Sequence, residues 1–337
     1  MALFPPFPST SASRPSSAAP RPGAVQQAGR TASAPPSFLS AKPPLSPSLG
    51  LPSTGLSRSV RVSQEEFLQL RDFIYEKCGI YIAENRKYLI ENRLSNRIKE
   101  LNLKTFGEYY YYLRFDGNRQ SELIKLFEVI TTNETSFYRN PPQLRIFQEA
   151  ELMTVLDKLR KTGTRKLRIW SAGCSTGEEP YTLAIILNET LKAELPSWDI
   201  RITANDLSEA VLAAARKGAY NEYALRTTPA AVIDRYFTKD GANFLIDPKL
   251  KRLISFVSIN LSDKNQVRRV ERSHIIFCRN VIIYFDDEMK KQIIEFFYDN
   301  LLPGGCLFIG HSESLHNISR AFKPEHHSGT IIYRKEA

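Results

Sequence analysis

Polar and apolar positions change rhythm several times along the chain, and each change predicts a different kind of element. From Val60 the apolar residues Phe67, Leu70, Phe73 and Ile74 fall at helical spacing behind Ser63, with Glu65 and Glu66 in the first turn, so a helix is predicted there. A second helix is predicted from about residue 83 to 101, with Ile90, Leu94, Ile98 and Leu101 on one side facing a core. Shorter periodic runs at 109–113 and 122–130 complete a small all-helical domain over residues 59–130. The next stretch, residues 131–165, reads as a linker and a polar loop that folds over whatever the first strand presents.

Beyond residue 165 the pattern becomes that of an α/β domain, over 166–337. Leu167, Ile169 and Trp170 form an apolar run that stops at Gly173. Small residues, Gly177, Glu178-Glu179-Pro180 and a helical apolar period follow. That is strand, glycine turn and helix, with acids and proline in the first turn where they are favoured. Such a turn lets backbone come close to a small molecule because glycine has no side chain in the way. Ile200-Arg201-Ile202-Thr203-Ala204 is a second strand ending at Asn205-Asp206, and Ser208 caps the next helix. Residues 228–258 break the alternation with short β-like runs around Lys239-Asp240-Gly241, which predicts a small antiparallel insertion reaching through Leu253 to Val257. Strands at 275–278, 306–309 and 330–333, a helix at 286–301 and a turn at Pro303-Gly304-Gly305 close the domain, with His326-His327 in a loop.

Charge changes the picture little. The net charge is +10, but residues 1–58 hold Arg14, Arg21, Arg30, Lys42 and Arg58 with no acid, so half the excess sits in one segment. The rest is only mildly basic, which argues against nucleic acid as a partner. That segment is dominated by Pro, Ser and Ala without hydrophobic periodicity, and is predicted to be a disordered tail. Its lack of acids is also a transit-peptide trait, which its prolines weaken. Cys78, Cys174, Cys278 and Cys306 lack metal-ligand spacing and read as reduced thiols of a cytoplasmic protein. No apolar run approaches the ~18 residues of a membrane span, and the histidines pair with no acid or thiol in a way that predicts a metal.

Arg86, Arg93 and Arg97 cluster on one stripe of the second helix, which Lys104 would extend. A solvated basic face is the plain reading; a docking ridge for an acidic partner is the functional one. Asp206 lies about thirty residues past Gly173 at a strand tip, where an acid accepts hydrogen bonds from ribose hydroxyls. The missing G-x-G-x-x-G disfavours a nicotinamide cofactor.

Four segments together resemble one family. They are Thr131-Thr132-Asn133-Glu134-Thr135-Ser136-Phe137-Tyr138-Arg139, the turn from Ser171 to Tyr181, Ala204-Asn205-Asp206-Leu207, and Phe277-Cys278-Arg279-Asn280-Val281-Ile282-Ile283-Tyr284-Phe285. In order and spacing they are similar to the CheR chemoreceptor methyltransferases, over about residues 60–335. The resemblance implies a class I methyltransferase fold, a Rossmann-like doubly wound sheet, with an N-terminal all-helical domain and an inserted antiparallel β-subdomain. It implies S-adenosylmethionine as cofactor, S-adenosylhomocysteine as product, and glutamate side chains on a chemoreceptor cytoplasmic coiled coil as acceptors. Carried over by position, Asn133, Thr135, Arg139, Gly173, Glu179, Asp206, Asn260, Leu261, Arg279 and Asn280 would line the cofactor site, with Glu178 a near alternative to Glu179. Arg139 and Tyr284 would lie closest to the transferring methyl, and Arg86, Arg93 and Arg97 would face the receptor. The stretch around residues 238–248 looks shorter than in members that bind a receptor C-terminal pentapeptide, so tether-free action by a monomer is expected.

Two other readings compete. Gly173-Cys174-Ser175-Thr176-Gly177 satisfies the G-x-S-x-G elbow of serine hydrolases, with Asp263 and His311 in the matching chain order. An inactive module that senses the cofactor and docks on receptors is the third possibility.

Overall fold

Local chemistry sets the boundaries of the helical region. In the computed structural model, which describes residues 61–131, 134–327 and 329–336, helix α1 (Gln64–Cys78) opens with a reciprocal capping box between Ser63 and Glu66. It ends at Gly79 in the left-handed conformation. Helices α2 (Lys87–Glu100), α3 (Phe106–Phe115) and α4 (Arg119–Ile130) follow, the third capped by Thr105. Their buried faces, including Phe67, Ile90, Leu94, Tyr109 and Leu126, pack as one cluster. The tail predicted over residues 1–58 and the site candidate Asn133 lie outside the described residues.

The domain that follows is built on a seven-stranded sheet in the order β6-β2-β1-β7-β8-β10-β9. These strands are β1 (Lys166–Ala172), β2 (Asp199–Asp206), β6 (Ile254–Ser258), β7 (Ser273–Cys278), β8 (Leu301–Ile309), β9 (Lys323–His327) and β10 (Thr330–Arg334). The strands β6, β2, β1, β7 and β8 run parallel, and β10 is antiparallel to β8. From β1 the chain winds outward through β2 to β6, then returns to lay β7 on β1's other side. That switch point is where open α/β sheets bind ligands, at the carboxyl ends of the strands. One face of the sheet shares its core with the helical region and the helix Asp287–Asn300; the other is covered by the helices Leu152–Lys161 and Glu178–Leu191.

Several sequence expectations need correction. The run from Leu253 to Val257 is not part of the insertion: Ile254–Ser258 pairs parallel with β2 and forms the edge of the main sheet. An edge strand is half exposed, so its pattern looked like that of a small separate sheet. The insertion's own sheet is β3 (Ala219–Tyr220), β4 (Phe237–Asp240) and β5 (Asn243–Ile246), and it begins before residue 228. Residues 131–165 contain a nearly continuous helix, Pro141–Ile146 and Leu152–Lys161, joined by a π turn at Phe147–Glu151. The π turn shifts the phase between Leu144 and Leu156, so no single helical period spans the segment. Pro303-Gly304-Gly305 lies inside β8, at a register irregularity, and His326-His327 ends β9 rather than lying in a loop. No helix among the described residues is long and apolar enough to cross a membrane.

Candidate active site

The glycine turn is fixed by the tip of β2. Gly173 has φ +74°, and a Cβ there would run into Val281. The N–H groups of Gly173 and Cys174 both donate to the Asn205 carbonyl at 2.8 Å, and Ser175 N donates to Asp206 Oδ2 at 2.9 Å. The other Asp206 oxygen accepts from Ser208 N at 3.0 Å, tying the same carboxylate to the cap of the helix Glu209–Lys217. Burial nevertheless pushes the Asp206 carboxyl above its usual range, with those N–H donors only partly offsetting it. Asn205 joins three strand ends: its Oδ1 accepts from Trp170 Nε1 at 2.7 Å, and its Nδ2 donates to the Ile259 carbonyl at 3.2 Å.

Arg279 follows β7 and is the buried hinge of the site. Its side chain is 4% exposed, and its guanidinium donates to Glu179 Oε2 at 3.2 Å and to the Arg139 carbonyl at 2.6 Å. Burial pulls the guanidinium below its usual pKa, and Glu179 opposes that pull. Glu179 Oε1 accepts from Ser171 Oγ at 2.7 Å. The adjacent Glu178 turns away, accepts from Thr176 Oγ1 at 2.9 and 2.7 Å, and has its carboxyl raised by burial. Of the two adjacent glutamates, Glu179 lines the cavity and Glu178 does not.

A cavity of about 290 Å³ lies between these parts. Thr135, Arg139, Gly173, Glu179, Asp206, Asn260, Leu261, Arg279, Asn280 and Tyr284 all line it, as do Cys78 and Ile80 from the helical region. The polar loop is held over it by Phe137 N donating to the Ala224 carbonyl (2.9 Å) and Tyr138 N donating to Thr182 Oγ1 (3.2 Å). Arg139 Nη1 donates to the Glu134 carbonyl at 3.0 Å. The helical region closes the far side: Tyr81 N donates to the Tyr284 carbonyl at 2.9 Å, and Asn260 Nδ2 donates to the Lys77 carbonyl at 2.7 Å. Two buried polar atoms of cavity residues, Ser175 Oγ and Arg279 Nε, have no hydrogen-bond partner among the described residues. Unmet buried polar atoms in a cleft lined by both apolar and polar side chains fit a small ligand with apolar and hydrogen-bonding parts.

The arginine stripe is not the free ridge its spacing suggested. Arg97 donates to both oxygens of Glu122, whose side chain is 3% exposed, and also to Glu100. Arg93 donates to the Ile130 carbonyl, whereas Arg86 is exposed. None of the three lines the cavity. The hydrolase reading fails on geometry: the side chain of Asp263 accepts from Asn265 N and Gln266 N, and His311 is exposed. Ser175 Oγ meets no base among the described residues. Glu151, Glu325 and His327 place ligand atoms within 4.8 Å of one another, a grouping the sequence did not predict. Arg334 already bridges the two carboxylates at 2.7 and 2.6 Å. Sequence reasoning also missed Asn205 and Glu313, whose roles depend on strand ends distant in the chain.

A doubly wound sheet with a glycine turn after β1, an acid at the tip of β2 and a loop closing over both is the architecture of S-adenosylmethionine-dependent methyltransferases. The family model described as CheR methyltransferase, SAM binding domain, matches residues 133–330, and that described as CheR methyltransferase, all-alpha domain, matches residues 65–131. The chain is 36% identical over 264 residues to chemotaxis protein methyltransferase 2 of Vibrio cholerae, covering 77% of this chain and 89% of that one. It is 32% identical to the chemotaxis protein methyltransferase of Salmonella typhimurium, covering 79% and 90%. This chain belongs to the CheR methyltransferase family and carries out S-adenosylmethionine-dependent methylation in chemotaxis.

Proposed function

We propose that the enzyme methylates glutamate side-chain carboxylates on the cytoplasmic coiled coil of chemoreceptors, yielding glutamyl methyl esters and S-adenosylhomocysteine. The observation that carries this reading is the meeting of Arg139, Glu179, Asp206, Arg279 and Tyr284 around one cavity. S-adenosylmethionine supplies an activated methyl on a sulfonium. Asp206 is suited to accept from ribose hydroxyls, Gly173 lets backbone approach, and the Thr135–Arg139 loop covers the cleft.

A glutamate carboxylate has a reference pKa of about 4.3, so it is ionised at neutral pH and needs no general base. The described site is accordingly rich in positioning groups. Holding reactants in line and excluding water can supply on the order of 7–11 kcal/mol. In this reading Arg139 orients the acceptor carboxylate through charge-assisted hydrogen bonds, a role supported by its side chain lining the cavity while Arg279 holds its carbonyl. Too tight a grip would quench the nucleophile, so its role is direction rather than neutralisation.

Incubation with tritiated S-adenosylmethionine and receptor-bearing membranes should give base-labile label on receptors, and Arg139→Ala should lower transfer by orders of magnitude with a smaller loss of S-adenosylhomocysteine affinity. Label on another acceptor, or near-normal turnover in the variant, would overturn the corresponding assignment. Acting in the cytoplasm as a monomer, the enzyme needs no receptor tether in this reading. The insertion offers only short strands and a tight turn at Gly241. Calorimetric titration with a receptor C-terminal peptide should therefore show no low-micromolar binding.

A further inference from the structure

One carboxylate outside the cavity organises much of its wall. The β7 strand ends at Cys278, and the chain then turns sharply at Asn280, which has φ +61°. The next residues supply Asn280, Val281, Ile283 and Tyr284 to the cavity lining. The neighbouring strand β8 ends at Ile309, and a turn closed by Glu313 N donating to the Gly310 carbonyl at 2.9 Å brings the Glu313 side chain back. Its Oε2 accepts from Asn280 N at 2.9 Å and from Gly310 N; its Oε1 accepts from Val281 N at 3.0 Å and from Ile283 N at 3.3 Å. Four backbone donors on two strand ends thus converge on one half-buried side chain that is not itself part of the cavity.

From this arrangement we infer that Glu313 is a positioning residue for methyl transfer, setting the place of the Asn280–Tyr284 segment relative to the glycine turn. The inference rests on the cofactor-site reading above. A carboxylate accepting several N–H groups holds them by charge-assisted bonds, stronger than a neutral acceptor would give. Position is transmitted directly: Val281 packs where a Cβ on Gly173 would sit, so any slip of the segment changes the gap at the turn. Gly310 belongs to the same device. A Cβ there would lie 2.8 Å from Asn280 N and closer still to Glu313 Oε2, so only glycine lets the carboxylate reach across.

Glu313→Gln keeps shape but replaces one acceptor oxygen by a donor that faces N–H groups. Its turnover number should fall by about tenfold or more while the receptor KM stays within about twofold, because docking lies elsewhere. Calorimetry should show S-adenosylhomocysteine bound several-fold more weakly, with the melting temperature lowered by only a few degrees. Gly310→Ala should act in the same direction and, in the Glu313→Gln background, add much less than it costs alone. Turnover and affinity within about twofold of wild type in Glu313→Gln would overturn the inference. So would a loss that tracks the melting temperature and vanishes on cooling the assay. If wild type itself fails to bind S-adenosylhomocysteine, the cofactor-site reading falls instead.

Discussion

Asp206 shows how much one side chain at a strand tip can determine. It accepts from Ser175 N and Ser208 N, yet burial dominates and raises its carboxyl. A carboxyl raised in the fold binds its proton more readily folded than unfolded. Its contribution to stability is fully present below the unfolded pKa of about 3.9 and is lost as pH climbs through the higher folded value. Asp206→Asn removes that titration. The melting temperature of the variant minus that of wild type should therefore become more positive as pH rises above about 4. The new amide adds a pH-independent offset, because its NH₂ must face one of the two N–H donors, so the slope is the readout. A flat difference would mean that the carboxylate is not buried as described. Legibility at this scale was uneven. The acid was readable because it ends an apolar strand. Glu178 and Glu179 were not separable, because adjacent helical residues differ only in phase, which Ser171 and Arg279 select.

At the level of elements, the second helix illustrates where periodicity stops being informative. Spacing alone puts Arg86, Arg93 and Arg97 on one stripe. The partner that captures Arg97, Glu122, lies on another helix, and Tyr109 Oη donates to the same carboxylate at 2.8 Å. No local pattern announces such a pairing. The stripe therefore divides into one exposed residue, Arg86, and two half-buried ones, Arg93 and Arg97, that knit α2 to α4. Arg97→Ala leaves a buried carboxylate short of its counter-charge and should destabilise the protein by about 2 kcal/mol, discounted for the guanidinium's partial exposure. Arg86→Ala should leave the melting temperature unchanged and raise the receptor KM. Equal behaviour of the two variants in both assays would contradict this division. The same limit hid the helix at Pro141–Lys161, broken in phase by its π turn, and hid β6, whose exposure as an edge strand mimics an insertion. By contrast β7 was legible as a short continuous apolar run buried on both faces, and β1 and β2 by apolar residues at alternate positions, Leu167 and Ile169 in one and Ile200 and Ile202 in the other.

At the scale of the molecule, the helical region and the sheet share one core among the described residues. A single apolar cluster runs from Phe67, Ile90 and Leu126 through Trp170 and Ile276 to Phe297 and Leu307. Polar ties reinforce it where the cavity opens: Tyr81 to Tyr284, and Asn260 to Lys77. Because Cys78 and Ile80 line the cavity together with residues of the sheet part, a ligand filling it would touch both parts at once. Two consequences follow for unfolding. Trp170 is fully buried at this junction, edge-on to Phe297 at 5.1 Å, and the other tryptophan, Trp198, is buried in the cluster on the sheet's other face, so tryptophan fluorescence reports the sheet part. Far-UV circular dichroism reports the helices of both parts, those of the helical region and those packed on the sheet. The two melting curves should coincide, and S-adenosylhomocysteine at about 100 times its Kd should shift both together by about 2.7 kcal/mol. A dichroism signal that melts in part before the tryptophan signal, or that ignores the ligand, would show that the two parts unfold separately.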